Sequence, residues 1–575
     1  MRRYLQQSRR ELVTGWVLAA FGTLVYLLTL DCSASWWDCG EFIATGYLLQ
    51  VGHPPGAPVY QLLSHCFMLL SGGNPMLVAP MSNALSAIAG GLTVMFLYWT
   101  IRLLSPFTSG RASWAAVVGA LCYLFCDTAW FSATESEVYS LAMLFCAVTA
   151  WLMLRWERKG DDRRLLLIAL LVGLGAGVHL MTLLTLPVLL LIFIRNKAWR
   201  RKGLLKLLST CLFFFLLGIT PYAIIPIRAA ANPPINEGNP STVENFERYI
   251  RREQYTKAPL YPRMWREKDT ANYEDWNFSL DGVVGNAVYC FNYQLGYMYF
   301  RYLMYNYIGR MNLKWSIIVV FVFPVLIGLW GLLQHRRRKR SNYWIVMLLF
   351  LFGGIVLNFY LNHPCYEPRE RDYVYVLSFY AIAIWIGIGA ESLAESGRIK
   401  QWLLVILLTL APLSEALGNW SDHDRHRSHT VHDISLNHLQ SCDHGAMLFS
   451  LGDNDTFPLW YLQQVEGRRT DIELHNINMT GVHASIYLMK ENIDQRPVYL
   501  THYAYRRFGK IFEGHLRCEG FCWRLLPTTE GADDIIPLQR HIADSIQWNI
   551  TENEYIDFVS EDMLKIWAEN TAILQ

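Results

Sequence analysis

Long uninterrupted apolar runs fill the chain up to about residue 418, after which polar and apolar positions alternate as in a soluble protein. A helix needs ~20 apolar residues to cross the hydrocarbon core of a bilayer. Runs of that kind lie near 12–30, 79–104, 113–131, 138–155, 165–178, 180–194, 204–227, 313–334, 342–361, 373–392 and 401–418. They predict about eleven transmembrane helices. The stretch 165–194 reads as two of them, because Gly173, Gly175, Gly177 and His179 interrupt it. The first run is too long, and too poor in a small-residue cleavage site, for a removed signal peptide, so it reads as a signal anchor. Two shorter apolar stretches, 42–51 and 57–71, predict helices lying along the membrane interface, separated by a Pro/Gly elbow at Pro54-Pro55-Gly56.

Basic residues orient these spans. Lys and Arg cluster at the N-terminus, at 158–164, at 195–202 and at 336–340, and with eleven spans all four clusters fall on one side. The segment 31–78 holds no Lys or Arg. The bias of short cytoplasmic loops toward Lys and Arg therefore puts the N-terminus inside. The loops 31–78 and 228–312 and the tail 419–575 are expected outside. Composition agrees with a membrane protein: 53% of the 575 residues are hydrophobic and only 17% charged, where soluble proteins carry about 25%. A net charge of +2 excludes a nucleic-acid footprint.

Candidate chemistry gathers on the outer side. Asp38 and Glu41 follow Trp36-Trp37 in the first outer loop, and His53 stands further along the same loop, just before the Pro/Gly elbow. A carboxylate at the edge of lipid is expensive to keep there without a task. The structural alternative is a capping box, with Asp38 as N-cap and Glu41 as its partner. Asp127, Glu135, Glu137 and His179 lie near the same face, as does Arg228. The loop 362–372 places Arg369 and Arg371 outside, against the charge bias. Such an Arg pair suits a lipid-linked phosphate, which guanidinium grips bidentately; the alternative is neutralisation by Glu367, Glu370 and Asp372. A transporter would show ionisable groups at mid-membrane and repeated halves. Neither pattern is present, and an enzyme working on a lipid-borne substrate at the outer surface is favoured over a transporter or a non-catalytic scaffold.

The run Trp37-Asp-Cys-Gly-Glu-Phe-Ile-Ala-Thr-Gly-Tyr, followed by Val51-Gly-His-Pro-Pro-Gly-Ala-Pro-Val-Tyr, resembles the opening motif of a multi-spanning family. That family is widespread in Bacteroidetes-type bacteria and is related to an animal plexin-type protein O-mannosyltransferase. Further matching stretches are Tyr222–Ala229, Asn232–Asn236, Pro240–Phe246, Glu367–Tyr373 and, in the tail, Gly452–Tyr461. The resemblance implies a GT-C glycosyltransferase fold, mainly α-helical, with a polyprenyl-phosphate sugar as donor. It implies that the sugar, mannose by analogy with the animal branch, goes to a hydroxyl acceptor, a protein Ser or Thr. It matches Asp38 to the catalytic base and Glu41 to the acidic partner of that motif. Arg369, Arg371 and Arg228 are then expected at the donor phosphate, with His53, Glu135, Glu137 and His179 lining the substrate site. The expected setting is a bacterial inner membrane with the site facing the periplasm. No metal-ligand spacing stands out, and no metal or other cofactor is expected.

The tail, residues 419–575, predicts a small α/β domain distinct from the transmembrane domain of residues 1–418. Ala446–Leu451 is strand-like, Gly452–Thr456 turns, Phe457–Val465 has helical spacing and Asp471–Ile477 is strand-like again, a βαβ pattern. Asp453 and Asp455 are expected to cap the helix rather than to hold a cation. His423, His426, His429 and His432 recur every third residue and are expected in a solvated polar linker. Cysteines read as scattered thiols with at most one bridge; Cys518 and Cys522 are spaced C-x₃-C, and no second pair supplies a metal set. The tyrosines of 287–311 predict an aromatic belt at the membrane surface.

Overall fold

The structure, a computed structural model, describes residues 8–107, 113–197, 203–255, 257–263, 282–308, 315–365 and 369–531, together with 561 and 565. Glu367, one expected neutraliser of the Arg pair, lies outside these residues.

The molecule is mainly helical, with one small sheet near its C-terminal end. Among the described residues seven helices are long and apolar enough to cross a membrane: Arg9–Leu28, Pro75–Leu104, Val138–Lys159, Leu204–Ala230, Arg340–Leu361, Asp372–Ser396 and Gln401–His423. A further apolar pair, Ser113–Leu124 and Asp127–Ala133, is bent by 67°, the shape of a broken span or of a re-entrant loop. The reading of 165–194 as two helices rather than one is what the structure shows. There the chain forms two helices, Asp162–Ala176 and Leu180–Arg195, each shorter than a straight crossing. The break falls where the glycines predicted it: His179 leaves helical geometry, and its Nδ1 accepts the Met181 N–H at 3.2 Å. The remaining predicted element, Trp315–Arg338, is helical over 24 residues.

Two helices form the centre of the bundle. Pro75–Leu104 and Val376–Ser396 are buried along most of their length. Arg9–Leu28 packs on the first of these and Trp315–Arg338 on the second. Small residues let backbones approach: a Cβ on Gly331 would lie 1.9 Å from the Trp385 carbonyl oxygen. Close approach of this kind is how helices associate where lipid tails give no hydrophobic drive between them. The outer helices keep apolar side chains exposed, as Leu204–Ile219 does with Leu205, Leu212, Phe213 and Leu216, which suits contact with lipid.

The two short helices of the first outer loop form as predicted, at Cys39–Leu48 and Pro58–Met68. The setting of the first differs from an interfacial one. Every residue from Cys39 to Gly46 is buried, because the helix is sandwiched between the bundle and the tail. The tyrosines near 287–311 also differ from a belt. Tyr289, Tyr299, Tyr302 and Tyr307 are fully buried, and the Tyr307 hydroxyl donates to the Phe379 carbonyl at 2.6 Å.

In the tail, strands β1 (Met447–Ser450), β2 (Glu473–Asn476), β3 (Val498–Leu500), β4 (Leu516–Glu519) and β5 (Cys522–Leu525) form one sheet in the order β2-β1-β3-β5-β4. β1 pairs in parallel with β2 and β3, while β5 is antiparallel to β3 and β4. The helix Asp453–Gln464 is the crossover between β1 and β2, as the βαβ pattern predicted, and it begins four residues earlier than its apolar spacing suggested. This crossover helix lies against Cys39–Leu48. Gly40 is the point of closest approach: a Cβ there would sit 2.6 Å from the Phe457 carbonyl oxygen. The tail is thus docked on the first outer loop.

Candidate active site

The loop before the Cys39–Leu48 helix carries the first acidic group. Trp37 has a φ of 63°, the left-handed region that costs a bulky residue energy. Its N–H donates to Asn454 Oδ1 of the tail at 2.6 Å. Asp38 occupies the N-cap position, yet it has helical dihedrals and makes no side-chain capping hydrogen bond. The capping-box alternative is therefore not realised, and the Asp38 carboxylate is left for another purpose. Its side chain is 24% exposed, against 1% for Glu41.

Glu41 is buried and held from one side. The His53 N–H donates to its Oε1 at 2.5 Å, and His53 Nδ1 lies 2.6 Å from its Oε2. The Pro/Gly elbow makes this possible by folding the chain back over the helix. Gly52 must pass the carboxylate closely: a Cβ there would fall 2.3 Å from Glu41 Oε1. Burial draws the His53 pKa down, but the Glu41 carboxylate outweighs it and holds the imidazole pKa well above its usual value. Asp38, Glu41 and His53 each offer one ligand atom within 4.8 Å of the others.

The short outer loop after the bent helix adds two acids with different partners. Glu135 accepts from Arg425 Nη1 at 2.9 Å and from the Ser35 hydroxyl at 2.7 Å. Glu137 accepts from Arg369 Nη2 at 3.0 Å, and the other guanidinium nitrogen, Nη1, stands 3.7 Å from Asp38 Oδ2. Arg369 also lies over the rings of Trp37 and Tyr373. Burial pushes the Glu137 carboxyl up to about 8, with Arg369 opposing and Asp38 adding to the shift. Arg371 donates from Nη1 to the Tyr373 hydroxyl at 2.5 Å.

Two acidic residues reach the cluster from elsewhere. Asp453, at the start of the tail's crossover helix, is pushed up to about 6, first by burial and then by Asp38 and Glu41, with His53 and Arg371 opposing. It neither caps its helix nor pairs with Asp455, which instead accepts the Leu451 N–H at 2.8 Å and the Thr501 hydroxyl. Glu237, from the second outer loop, is 7% exposed and sits beside Glu41, with its pKa raised by burial and by that neighbour. Sequence alone does not single out Glu237. Its signal is the matching stretch Asn232–Asn236, which ends one residue before it.

The structure thus brings together Asp38, Glu41, His53, Glu137, Arg369, Arg371 and Asp453. Glu370 is bound to Arg301 at 2.7 Å and Asp372 accepts from the Thr128 hydroxyl at 2.5 Å, so both acids also have partners on other helices. Three candidates have local tasks. Arg228 donates to the Leu49 and Leu48 carbonyls at 2.5 and 3.0 Å, closing the C-terminal end of the Cys39–Leu48 helix. His179 caps the turn that follows it. Glu135 ties the tail to the bundle through Arg425. The four regularly spaced histidines do not share a helix face. His423 stacks on Trp130, and His432 bridges Asp433 and Glu466 at 3.0 and 3.2 Å.

Two family descriptions match the chain: "Protein O-mannosyl-transferase TMEM260 N-terminal domain" over residues 38–202 and "TMEM260-associated domain 2" over residues 431–495. The first match opens on Asp38, and the second covers the tail segment that carries Asp453. Protein O-mannosyl-transferase tmem260 of Dictyostelium discoideum is 24% identical over 494 residues, covering 79% of this chain and 55% of the relative. The Mus musculus protein O-mannosyl-transferase TMEM260 is 24% identical over 470 residues, covering 78% of this chain and 60% of the relative. The chain therefore spans little more than half the length of these curated relatives. Among solved structures, ArnT from Cupriavidus metallidurans bound to undecaprenyl phosphate is similar at 11% identity and a TM-score of 0.41, covering 89% of this chain and 98% of that one. The S. cerevisiae protein O-mannosyltransferase Pmt1-Pmt2 complex, bound to the sugar donor, is similar at 19% identity and a TM-score of 0.32, covering 40% of this chain and 34% of that one. At these scores the likeness assigns no residue a role. The resemblance to the protein O-mannosyltransferase branch, expected from the opening motif, is borne out by the family matches and the relatives.

Proposed function

We propose that this chain, a relative of the TMEM260 protein O-mannosyl-transferases, is a GT-C membrane glycosyltransferase. It moves a sugar, mannose by that relationship, from a polyprenyl-phosphate donor to a Ser or Thr hydroxyl of a protein on the non-cytoplasmic side. The observation that carries the reading is the state of Asp38. It sits at a helix start without capping it, it is the more exposed of the two first-loop carboxylates, and Arg369 stands beside it.

Asp38 accepts the proton of the acceptor hydroxyl as the hydroxyl oxygen attacks the anomeric carbon. The bond from that carbon to the donor phosphate oxygen breaks, and the polyprenyl phosphate leaves with the electron pair, needing no proton. Arg369 is held between Glu137 and the Trp37 and Tyr373 rings and orients Asp38. Arg371, at the Asp453 edge of the cluster, is the guanidinium for the leaving phosphate, where a developing charge is best met by a preorganised donor. Glu41 and His53 brace the loop. With the tail outside, Asp453 and Asn454 close the site from the aqueous face.

Purified protein supplied with labelled polyprenyl-phosphate mannose and a Ser/Thr-rich acceptor tests the reading. Transfer to the acceptor that is lost in Asp38→Asn is the expected result. An Asp38→Asn protein that transfers as fast as the wild type overturns the assignment of the base.

A further inference from the structure

The acids of the outer site outnumber the groups available to neutralise them. Asp38, Glu41, Glu237 and Asp453 converge there from three separate stretches of chain, around the single imidazole of His53. Of the two arginines nearby, Arg369 is shared with Glu137 and Arg371 stands at the Asp453 edge. Glu237 is held in place by its backbone: its N–H donates to the Val51 carbonyl at 3.1 Å, and the Val51 N–H donates to the Ile235 carbonyl at 3.1 Å. The side chain is more than nine-tenths buried, and its Oε1 has no hydrogen-bond partner. On the far side of the cluster, buried Glu137 likewise leaves Oε2 without a partner. Buried carboxylate oxygens are nearly always satisfied. Two carboxylates buried side by side repel unless a proton or a cation lies between them.

We propose that Asp38, Glu41 and His53 ligate a divalent cation, with Glu237 as the fourth protein ligand. Each of the first three already has a ligand atom within 4.8 Å of the other two. Loading replaces the proton between Glu41 Oε2 and His53 Nδ1 with the cation, and that proton leaves to solvent. The donor set is carboxylate oxygen with one imidazole nitrogen. Such a mixture suits a first-row ion such as Mn²⁺, whereas Mg²⁺ prefers oxygen and water alone. The inference rests on the first outer loop being the reaction centre and adds to it: the ion holds one Asp38 oxygen, leaving the other for the acceptor.

Full-length protein, tag removed and stripped with EDTA, is titrated with Mn²⁺ while the free-ion electron paramagnetic resonance signal is followed. Wild type is expected to take up about one ion per chain and to gain thermal stability on binding. Glu41→Gln and Glu237→Gln are expected to weaken uptake by ~10-fold or more, while Glu244→Gln, at an exposed helical carboxylate, leaves it unchanged. Melting each variant without metal separates loss of a ligand from loss of fold; should Glu41→Gln not fold, the isosteric Glu237→Gln decides alone. No stoichiometric uptake by the folded wild type, or uptake by Glu237→Gln equal to wild type, overturns the proposal. Sugar transfer that survives EDTA in a protein binding no Mn²⁺ sinks the cation and keeps the transferase. Stoichiometric binding without transfer from any polyprenyl-phosphate sugar sinks the transferase and keeps the cation.

Discussion

Glu135 and Glu137 stand two residues apart in one short loop, and each meets an arginine across the outer face. The two pairs look alike in sequence and differ in structure. The side chains of Arg425 and Glu135 are only 6% and 3% exposed, and Arg425 lies 3.9 Å over the Phe131 ring. Ser35 adds a further bond to Glu135. This pair fastens the start of the tail to the bundle. Glu137 leaves one oxygen without a partner, and its arginine extends onward to Asp38, whose side chain meets solvent. A buried pair whose groups are satisfied by one another is a staple; a pair that is left incomplete beside an accessible carboxylate suits the reaction centre proposed above.

The contrast can be broken by substitution. Asp38→Asn should lower turnover by ~10²-fold or more, read from labelled sugar transfer. Its melting temperature should stay near that of the wild type, because no capping bond is lost. Arg425→Met strands a buried carboxylate, for which about 3 kcal/mol of destabilisation is expected. Chemical or thermal unfolding reads this, while the folded fraction keeps its turnover. Glu137→Gln should lower turnover by roughly 10-fold through misplacement of Arg369 and Asp38. It should also move the pH–rate profile, which a purely structural role would leave in place. If Glu135→Gln moves the profile as well, the distinction between the two pairs fails. Arg371→Lys keeps the charge but loses the planar fork, so donor affinity should fall several-fold, on the order of 1 kcal/mol.

The smallest effect concerns His432, which joins the helix Thr430–Gln440 to the turn after the crossover helix through Glu466. Burial lowers its pKa, but Asp433 and Glu466 outweigh burial and raise it to about 9. A pKa raised by folding contributes stability below the unfolded value, ~6.5, and loses it as pH climbs through about 9. His432→Gln should therefore lower the melting temperature at pH ~6 and leave it closer to wild type at pH ~10.

Much of the membrane domain is legible from apolar run length, since an element that must satisfy its own backbone in lipid has little choice but helix. The break at His179 follows from its glycines, and the βαβ start of the tail from its alternation. What stays hidden is where the tail goes. Asp453 reads as a capping residue because local spacing says nothing of a helix ~400 residues earlier. Glu237 carries no local signal either, as its meaning comes from Val51 across the loop. Positions 38, 41, 53 and 237 lie in two separate loops, so their meeting leaves no regular spacing along the chain. The burial of the Cys39–Leu48 helix is hidden for the same reason, since an apolar ten-residue helix looks the same against lipid or protein.

The contact between Trp37 and Asn454 joins residues 417 positions apart. In a growing chain the first loop is made early, and its closing partner emerges only after that whole interval has been translated. A ribosome-bound chain therefore holds that loop without its closing partner until then. The site is closed only when the segment after Gly452 arrives and Phe457 settles against Gly40. The order of synthesis thereby acts as a safeguard: under the transferase reading proposed above, no donor is spent before the tail has docked.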